Sequence, residues 1–399
     1  MRTRIQIALM GCFLSVAMHL YLAMHYYPLK LGIASGQSLC NLNKVFNCDD
    51  VAASKFSALF GIPMAVWGTV TNAILFGLIL MSWLEWTEHP ERLRRWTTLL
   101  SGGTVIASVI MGAISLLLMN SYCVFCISLY ILSLIIFFSY RKILREPFWS
   151  NIGSDLPHLW SENRGVVISF ASIPVLAFLL HSVFLDNLDS GKVNAMVEES
   201  LRDWESSPKF DFVAKPSLVK GPAAEKASLT LVEFADFRCP HCKHASYSLH
   251  AFVNANPDVR FEFYSFPLDG SCNPKMDHSD GISCRLAAAL ICADKESKGW
   301  EAHDMMFEVQ DETRQMGSVG ELDVLLSKKF ADLGMNWESI QVCLGDSATT
   351  EAVQAQAKQG DLVNIRGTPT LFAEGKMLGR IMVPLLQQAR EKSLANKNR

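Results

Sequence analysis

Charge is what this chain is short of. Only 19% of its 399 residues are Asp, Glu, Lys or Arg, and the net charge is −3. No basic surplus exists to neutralise phosphates, so nucleic acid is excluded as a partner. Five stretches hold no charged residue at all: about 5–26, 62–84, 97–119, 123–140 and 165–185. A bilayer span needs roughly 17–25 apolar residues, and all five qualify. Metal and nucleotide motifs are also missing. No second CxxC or HxxxH follows residue 242 at zinc spacing. His19, His25, His181, His244, His250, His278 and His303 show no ligand spacing with a carboxylate or a second histidine, so no metal is expected.

What is present divides the chain. Hydrophobic residues make up 50% of it and concentrate before about residue 186; the remainder reads as soluble. A chain of this length and contrast holds more than one domain. The expected boundaries are a membrane domain at 1–186, a linker at 187–214 and a soluble domain at 215–399. Basic residues in short loops set the orientation. Arg2 and Arg4, then Arg92, Arg94 and Arg95, then Arg141, Lys142, Arg145 and Arg164 fall on one side; the other has Lys30, Lys44 and Lys55. The N-terminus is therefore expected in the cytoplasm, with loop 27–61, the turn near 120–123 and everything after about 186 outside. Leu9-Met10-Gly11-Cys12 loosely matches a lipoprotein cleavage site, but the apolar run continues past Cys12 and reads as a retained span.

Three cysteine pairs fall on that outer, oxidising side, where disulfides persist. Cys239-Pro240-His241-Cys242 follows the strand-like run 229–234 and opens a helix expected to reach about Asn254. A cysteine at a helix start meets unpaired N–H groups and the positive end of the dipole, which favours thiolate. His241 can add charge or hydrogen bonds. A stabilised thiolate makes the disulfide a strong oxidant. Cys239 should be the exposed sulfur and Cys242 the buried partner. Cys123-Val124-Phe125-Cys126 opens the fourth apolar run, with Tyr130 on the same helix face. Cys40 and Cys48 flank a polar loop ahead of an expected helix from Asp49 to Leu59. Such a pair could also simply staple that loop, as outer-loop disulfides often do.

The soluble part has a thioredoxin-like order. Strand 229–234 and CPHC precede a strand at 259–266 and a helical stretch at 280–345. Thr368-Pro369 then opens a strand at 370–372, and a helix at 383–395 ends the pattern. Val193 to Trp204 has amphipathic helical spacing. Cys272, Cys284, Cys292 and Cys343 read as structural. Cys272 and Cys284 pair most naturally, and the other two pair or stay buried thiols.

With these residues in view, 215–395 resembles the DsbA-type thioredoxin-like oxidoreductases. The matches are Gly221-Pro222, Val232-Glu233-Phe234-Ala235-Asp236-Phe237-Arg238, CPHC and Arg366-Gly367-Thr368-Pro369-Thr370. That family's cysteine is the standard example of a strongly acidified thiol. The resemblance implies a cis Pro369 beside the disulfide. Residues 5–142 resemble the vitamin K epoxide reductase family, through Cys40, Cys48-Asp49-Asp50-Val51-Ala52-Ala53-Ser54, Phe60-Gly61-Ile62-Pro63 and CVFC. That resemblance implies that Cys126 touches a quinone, Cys123 exchanges with Cys48, and Cys40 exchanges with the thioredoxin-like partner. Ser54, Ser57 and Tyr130 would lie at the quinone, although vertebrate members have an asparagine near position 57.

The combined expectation is a five-helix membrane bundle joined to a soluble α/β thioredoxin-like domain with a helical insertion. It would be an enzyme of the bacterial inner membrane. It would pass electrons from reduced exported proteins through Cys239–Cys242, Cys40–Cys48 and Cys123–Cys126 to ubiquinone or menaquinone. The alternatives are the same relay reversed, as a reductase or isomerase, and a membrane redox sensor with inert disulfides.

Overall fold

The computed structural model describes residues 2–31, 38–42, 45–119, 121–144, 155, 164–188 and 190–397. Lys44 and Arg145, used above for orientation, lie outside these residues. The chain divides into two compact units, one mainly Met1–Lys30 and Gln37–Val193, the other mainly Asn194–Arg399.

The first unit is helical. Among the described residues, five helices are long and apolar enough to cross a membrane: α1 (Arg2–Leu31), α3 (Met64–Trp83), α4 (Pro90–Leu118), α5 (Val124–Arg141) and α6 (Arg164–Asn187). A short α2 (Cys48–Ala53) precedes a two-stranded hairpin, β1 (Ala58–Leu59) with β2 (Ile62–Pro63). The expected helix to Leu59 is thus cut at Ala53. Phe60 (φ 53°) and Gly61 (φ 80°) turn the chain through left-handed backbone that glycine tolerates well. One core packs Ile5, Leu9 and Cys12 against Leu75, Ile79, Ile136 and Tyr140. Phe13, Leu117 and Phe178 instead lie exposed on the outside. That is the all-round apolarity expected of helices in lipid. Arg92 and Arg95 are not free cations: their Nε atoms donate to Asp155 at 3.0 and 2.8 Å.

The second unit centres on a five-stranded sheet. In chain order its strands are β3 (Leu218–Lys220), β4 (Leu229–Ala235), β5 (Val259–Ser265), β6 (Thr370–Ala373) and β7 (Lys376–Leu378). Their spatial order is β3-β5-β4-β6-β7. β4 runs parallel to β5 and antiparallel to β6. A core of Phe234, Tyr264, Phe266 and Phe372 covers one face. α7 (Ser190–Ser206), which contains the amphipathic stretch Val193 to Trp204, precedes the sheet, and α8 (Pro240–Ala255) leaves the end of the central strand β4. The insertion holds α9 (Ile282–Lys295), α10 (Gly299–Glu308), α11 (Gln310–Thr313), α12 (Val319–Asp332), α13 (Trp337–Leu344) and α14 (Ser347–Leu362). Two disulfides, Cys272–Cys284 and Cys292–Cys343, staple it.

Candidate functional site

The first cluster is built at the mouth of the helical unit. Cys40 and Cys48 are disulfide-bonded, while Cys123 and Cys126 are free. The sulfurs of Cys40, Cys48 and Cys123 all lie within 4.8 Å of one another and are buried. The loop is held to the helices by short polar contacts. Tyr122 N–H donates to the Val45 carbonyl at 2.7 Å, and Asn47 N–H to the Tyr122 carbonyl at 2.9 Å. Asn47 caps α2, its side chain accepting from the N–H groups of Asp49 and Asp50, and these two acids occupy the first turn, where negative charge suits the helix dipole. Asp49 also ties the loop together. Its carboxylate lies 2.8 Å from His25 Nε2 and accepts from Asn41 Nδ2 at 2.7 Å and Ser38 N–H at 3.3 Å. Ser38 Oγ sits 3.1 Å from Cys40 Sγ. One end of the loop disulfide thus has a hydroxyl beside it.

Cys48, Cys123 and Cys126 also line a cavity of about 350 Å³, along with Tyr130, Ser54 and Ser57. Its volume and apolar wall suit a small-molecule ring system. Both serines face it with their hydrogens engaged. Ser54 Oγ donates to the Val51 carbonyl at 2.8 Å and Ser57 Oγ to the Ser54 carbonyl at 2.7 Å. As placed, they offer lone pairs and no free proton. His19 and Asn72 line the same cavity and were missed in the sequence. The signal was there: a polar residue inside a span marks an interior or functional position. His19 Nδ1 lies 2.8 Å from the Ser15 carbonyl, which orients the ring.

The second cluster belongs to the sheet-containing unit. β4 delivers Cys239 as the N-cap of α8. Cys239 is 7% exposed and Cys242 is fully buried. Cys239 is therefore the more accessible of the two, yet much more covered than a helix-start sulfur was expected to be. Its Sγ lies 3.3 Å from the Thr368 carbonyl, and the Thr368–Pro369 peptide is cis. Gln310, also unforeseen, donates from Nε2 to the carbonyls of Phe237 and Cys239, at 2.7 and 2.9 Å.

Electrostatics separate the two thiols. The Cys242 thiol, then the Thr368 side chain and the N–H groups of Cys242 and His241, outweigh burial and bring the Cys239 pKa down to about 6. Burial and the neighbouring Cys239 hold Cys242 well above the ordinary thiol value. The side chain of His241 is exposed. Its contribution to the thiolate comes through the backbone. His241→Pro, which deletes that N–H, should therefore raise the Cys239 pKa by about one unit or more, the equivalent of one hydrogen bond to a charged group. His241→Ser should leave it near the native value. Alkylation rate against pH measures both, and equal shifts in the two variants would refute the backbone assignment.

Glu233 is the remaining unforeseen group. It is 1% exposed in the middle of β4, and neither carboxylate oxygen has a hydrogen-bond partner. Burial and then the nearby Cys239 push its pKa up to about 8. A charge inside the apolar run Leu229–Ala235 was the available signal.

The histidines need one correction. Sequence spacing offered no ligand group, but folding brings His250, His303 and Asp304 together.

Comparison with known proteins follows this division. Residues 6–140 match the vitamin K epoxide reductase family, and residues 230–389 match the DSBA-like thioredoxin domain. A Na(+)/H(+) antiporter NhaA 3 of Salinispora tropica is 28% identical over 158 residues. That match takes in 40% of this chain, which spans only 22% of the antiporter. Disulfide bond formation protein D of Bacillus subtilis is 25% identical over 175 residues, covering 41% of this chain and 72% of that protein. Oxidised BdbD of Bacillus subtilis aligns with 47% of this chain and 100% of its own, at 22% identity and a TM-score of 0.37. Residues 6–140 thus belong to the vitamin K epoxide reductase family and residues 230–389 to the DsbA-like thioredoxin domains, which makes the chain a fusion of the two.

Proposed function

We propose that this chain is a membrane thiol:quinone oxidoreductase that forms disulfide bonds in exported proteins. One observation carries the reading. Cys123 sits within 4.8 Å of both sulfurs of the loop disulfide, and it shares an apolar cavity with Cys126. A thiol pair between a second disulfide and a cavity of ring size suits two-electron transfer between them.

The relay starts at Cys239. Reduced substrate thiolate attacks Cys239 of its disulfide, and Cys242 leaves; a second substrate thiol then releases the oxidised product. The low pKa of Cys239 supports this direction, because a stabilised thiolate favours the reduced form of the domain. The CPHC dithiol next reduces Cys40–Cys48 through Cys40. Cys48 exchanges with Cys123, and Cys123–Cys126 closes as its two electrons leave. A quinone bound in the cavity would accept those electrons and two protons. Cys126, Tyr130, Ser54 and Ser57 are the residues that would hold it. The fusion keeps successive partners at high effective concentration. The name of the Bacillus subtilis relative agrees with the proposed product. The basic loops support an inner-membrane protein with its N-terminus in the cytoplasm and all three pairs outside.

The test is anaerobic. Full-length protein, reduced peptide and a soluble quinone should yield one quinol per peptide disulfide, over many turnovers. Peptide oxidation without quinol, continuing past the chain's own disulfides, would overturn the reading.

A further inference from the structure

Outside the thiol chemistry, α8 and α10 converge on three ligand-type side chains. α8 supplies His250, and α10 supplies His303 and Asp304. One ligand atom from each lies within 4.8 Å of the other two. Asp304 Oδ1 is 3.0 Å from His303 Nδ1 and 3.6 Å from His250 Nδ1. The imidazoles are tilted 30° with centroids 4.7 Å apart, so both rings present Nδ1 to one carboxylate oxygen. The side chain of His303 is 1% exposed and that of Asp304 is 44% exposed. The cluster has a dry back and a wet front.

Hydrogen bonding alone explains this arrangement poorly. The 3.0 Å contact is a hydrogen bond, but 3.6 Å is beyond one. Nε2 of His250 and Nε2 of His303 are both buried without a partner. The two imidazoles pack among Phe261, Phe263, Trp300 and Phe307, yet between them make a single hydrogen bond with Asp304. A shared cation accounts for the convergence. Ligand atoms each about 2.0–2.1 Å from one ion, at angles of about 95° and 120°, stand roughly 3.0 and 3.6 Å apart.

We propose that His250, His303 and Asp304 form a binding site for a divalent transition-metal ion of the zinc class, with water completing the shell. Two imidazole nitrogens and one carboxylate oxygen match that class. Calcium and magnesium prefer all-oxygen sets. The exposed side of Asp304 gives the ion and its water access. With no hydrogen-bond partner at either Nε2, the site should bind roughly 10–100-fold more weakly than one whose imidazoles are supported.

The site is structural in its consequence. His303 packs against Phe237 and Phe263, with centroids 5.6 and 4.7 Å apart. Phe237 lies two residues before Cys239. An ion held by residues of both helices would pin the CPHC helix to the helical insertion and stabilise the folded domain.

The experiment uses tag-free full-length protein in detergent, with its thiols oxidised and prior chelator treatment, titrated with Zn²⁺ by calorimetry. We expect one ion per chain and a zinc-dependent rise in Tm. Asp304→Asn and His250→Gln should each weaken binding at least tenfold, while His244→Gln on the same helix binds as wild type. No bound ion, or unchanged affinity in both variants, would overturn the proposal. If a variant misfolds by circular dichroism, Co²⁺ titration of the wild type decides. Tetrahedral ligand-field bands without a sulfur charge-transfer band support the site. A sulfur band, or no bands, refutes it.

Discussion

Cys126→Ser protein should form quinol no faster than the uncatalysed background, while still oxidising reduced peptide up to the capacity of its own relay disulfides, Cys239–Cys242 and Cys40–Cys48, and then stopping. The stop follows from where the thiols lie. Cys126 and Cys123 line the apolar cavity, whereas Cys239 and Cys242 belong to the other unit. Without Cys126 the Cys123 thiolate can attack Cys48 and expel Cys40, but no resolving thiol follows. Ser38 Oγ, 3.1 Å from Cys40 Sγ, can donate to the departing thiolate, which favours Cys40 over Cys48 as leaving group. A Cys48–Cys123 mixed disulfide should therefore accumulate. Mass spectrometry of non-reduced digests would identify it. Undiminished quinol formation would remove Cys126 from the relay. A Cys40–Cys123 adduct would reverse the roles assigned to the loop cysteines. If Cys40–Cys48 stays intact and resists mild reductant, that pair is a staple and the relay must bypass it.

Membrane spans were the most legible part of this fold, because an uncharged run of bilayer length has few other uses. Their ends were less legible. α4 begins at Pro90, several residues before the expected 97, since a helix can continue through Arg92, Arg94 and Arg95 where Asp155 and Glu91 meet their charges. The two short strands Leu218–Lys220 and Lys376–Leu378 carry too few residues for an alternation to show. The thiols were readable because CxxC at a helix start has one dominant chemistry. What holds them was not readable. Asp49 meets His25 across 24 residues of sequence, and Gln310 reaches Cys239 across 71. Such contacts are products of tertiary packing, and no local period encodes them. The same holds for His250, His303 and Asp304. Glu233 and His19 stand between these cases: each is a polar residue in an apolar run, visible as an anomaly but assignable only once its neighbours are known.

Glu233→Gln should flatten the pH dependence of stability in the sheet-containing unit. The native carboxyl has a pKa raised from 4.5 to about 8, through burial and then the Cys239 sulfur. An unfolded chain loses that proton near the ordinary carboxylate value. Between these limits the unfolded state binds fewer protons than the native one, so stability falls as pH rises. Below about pH 4.5 Glu233 costs nothing by this route. Through about pH 8 the loss accumulates to on the order of 5 kcal/mol, a large fraction of a domain's stability. Gln keeps the shape and cannot ionise. Wild type and variant should match at the acid end, and the variant should gain steadily toward pH 8. Amide exchange of Leu229–Ala235 in the full chain reads this locally, and the comparison at each pH cancels the intrinsic exchange rate. Oxidising Cys239–Cys242 removes the thiolate and should reduce the wild-type slope, because the second cause of the shift is then gone. Parallel profiles for wild type and variant, in either redox state, would mean that Glu233 is ionised in the fold with its charge met by a group outside the contacts described.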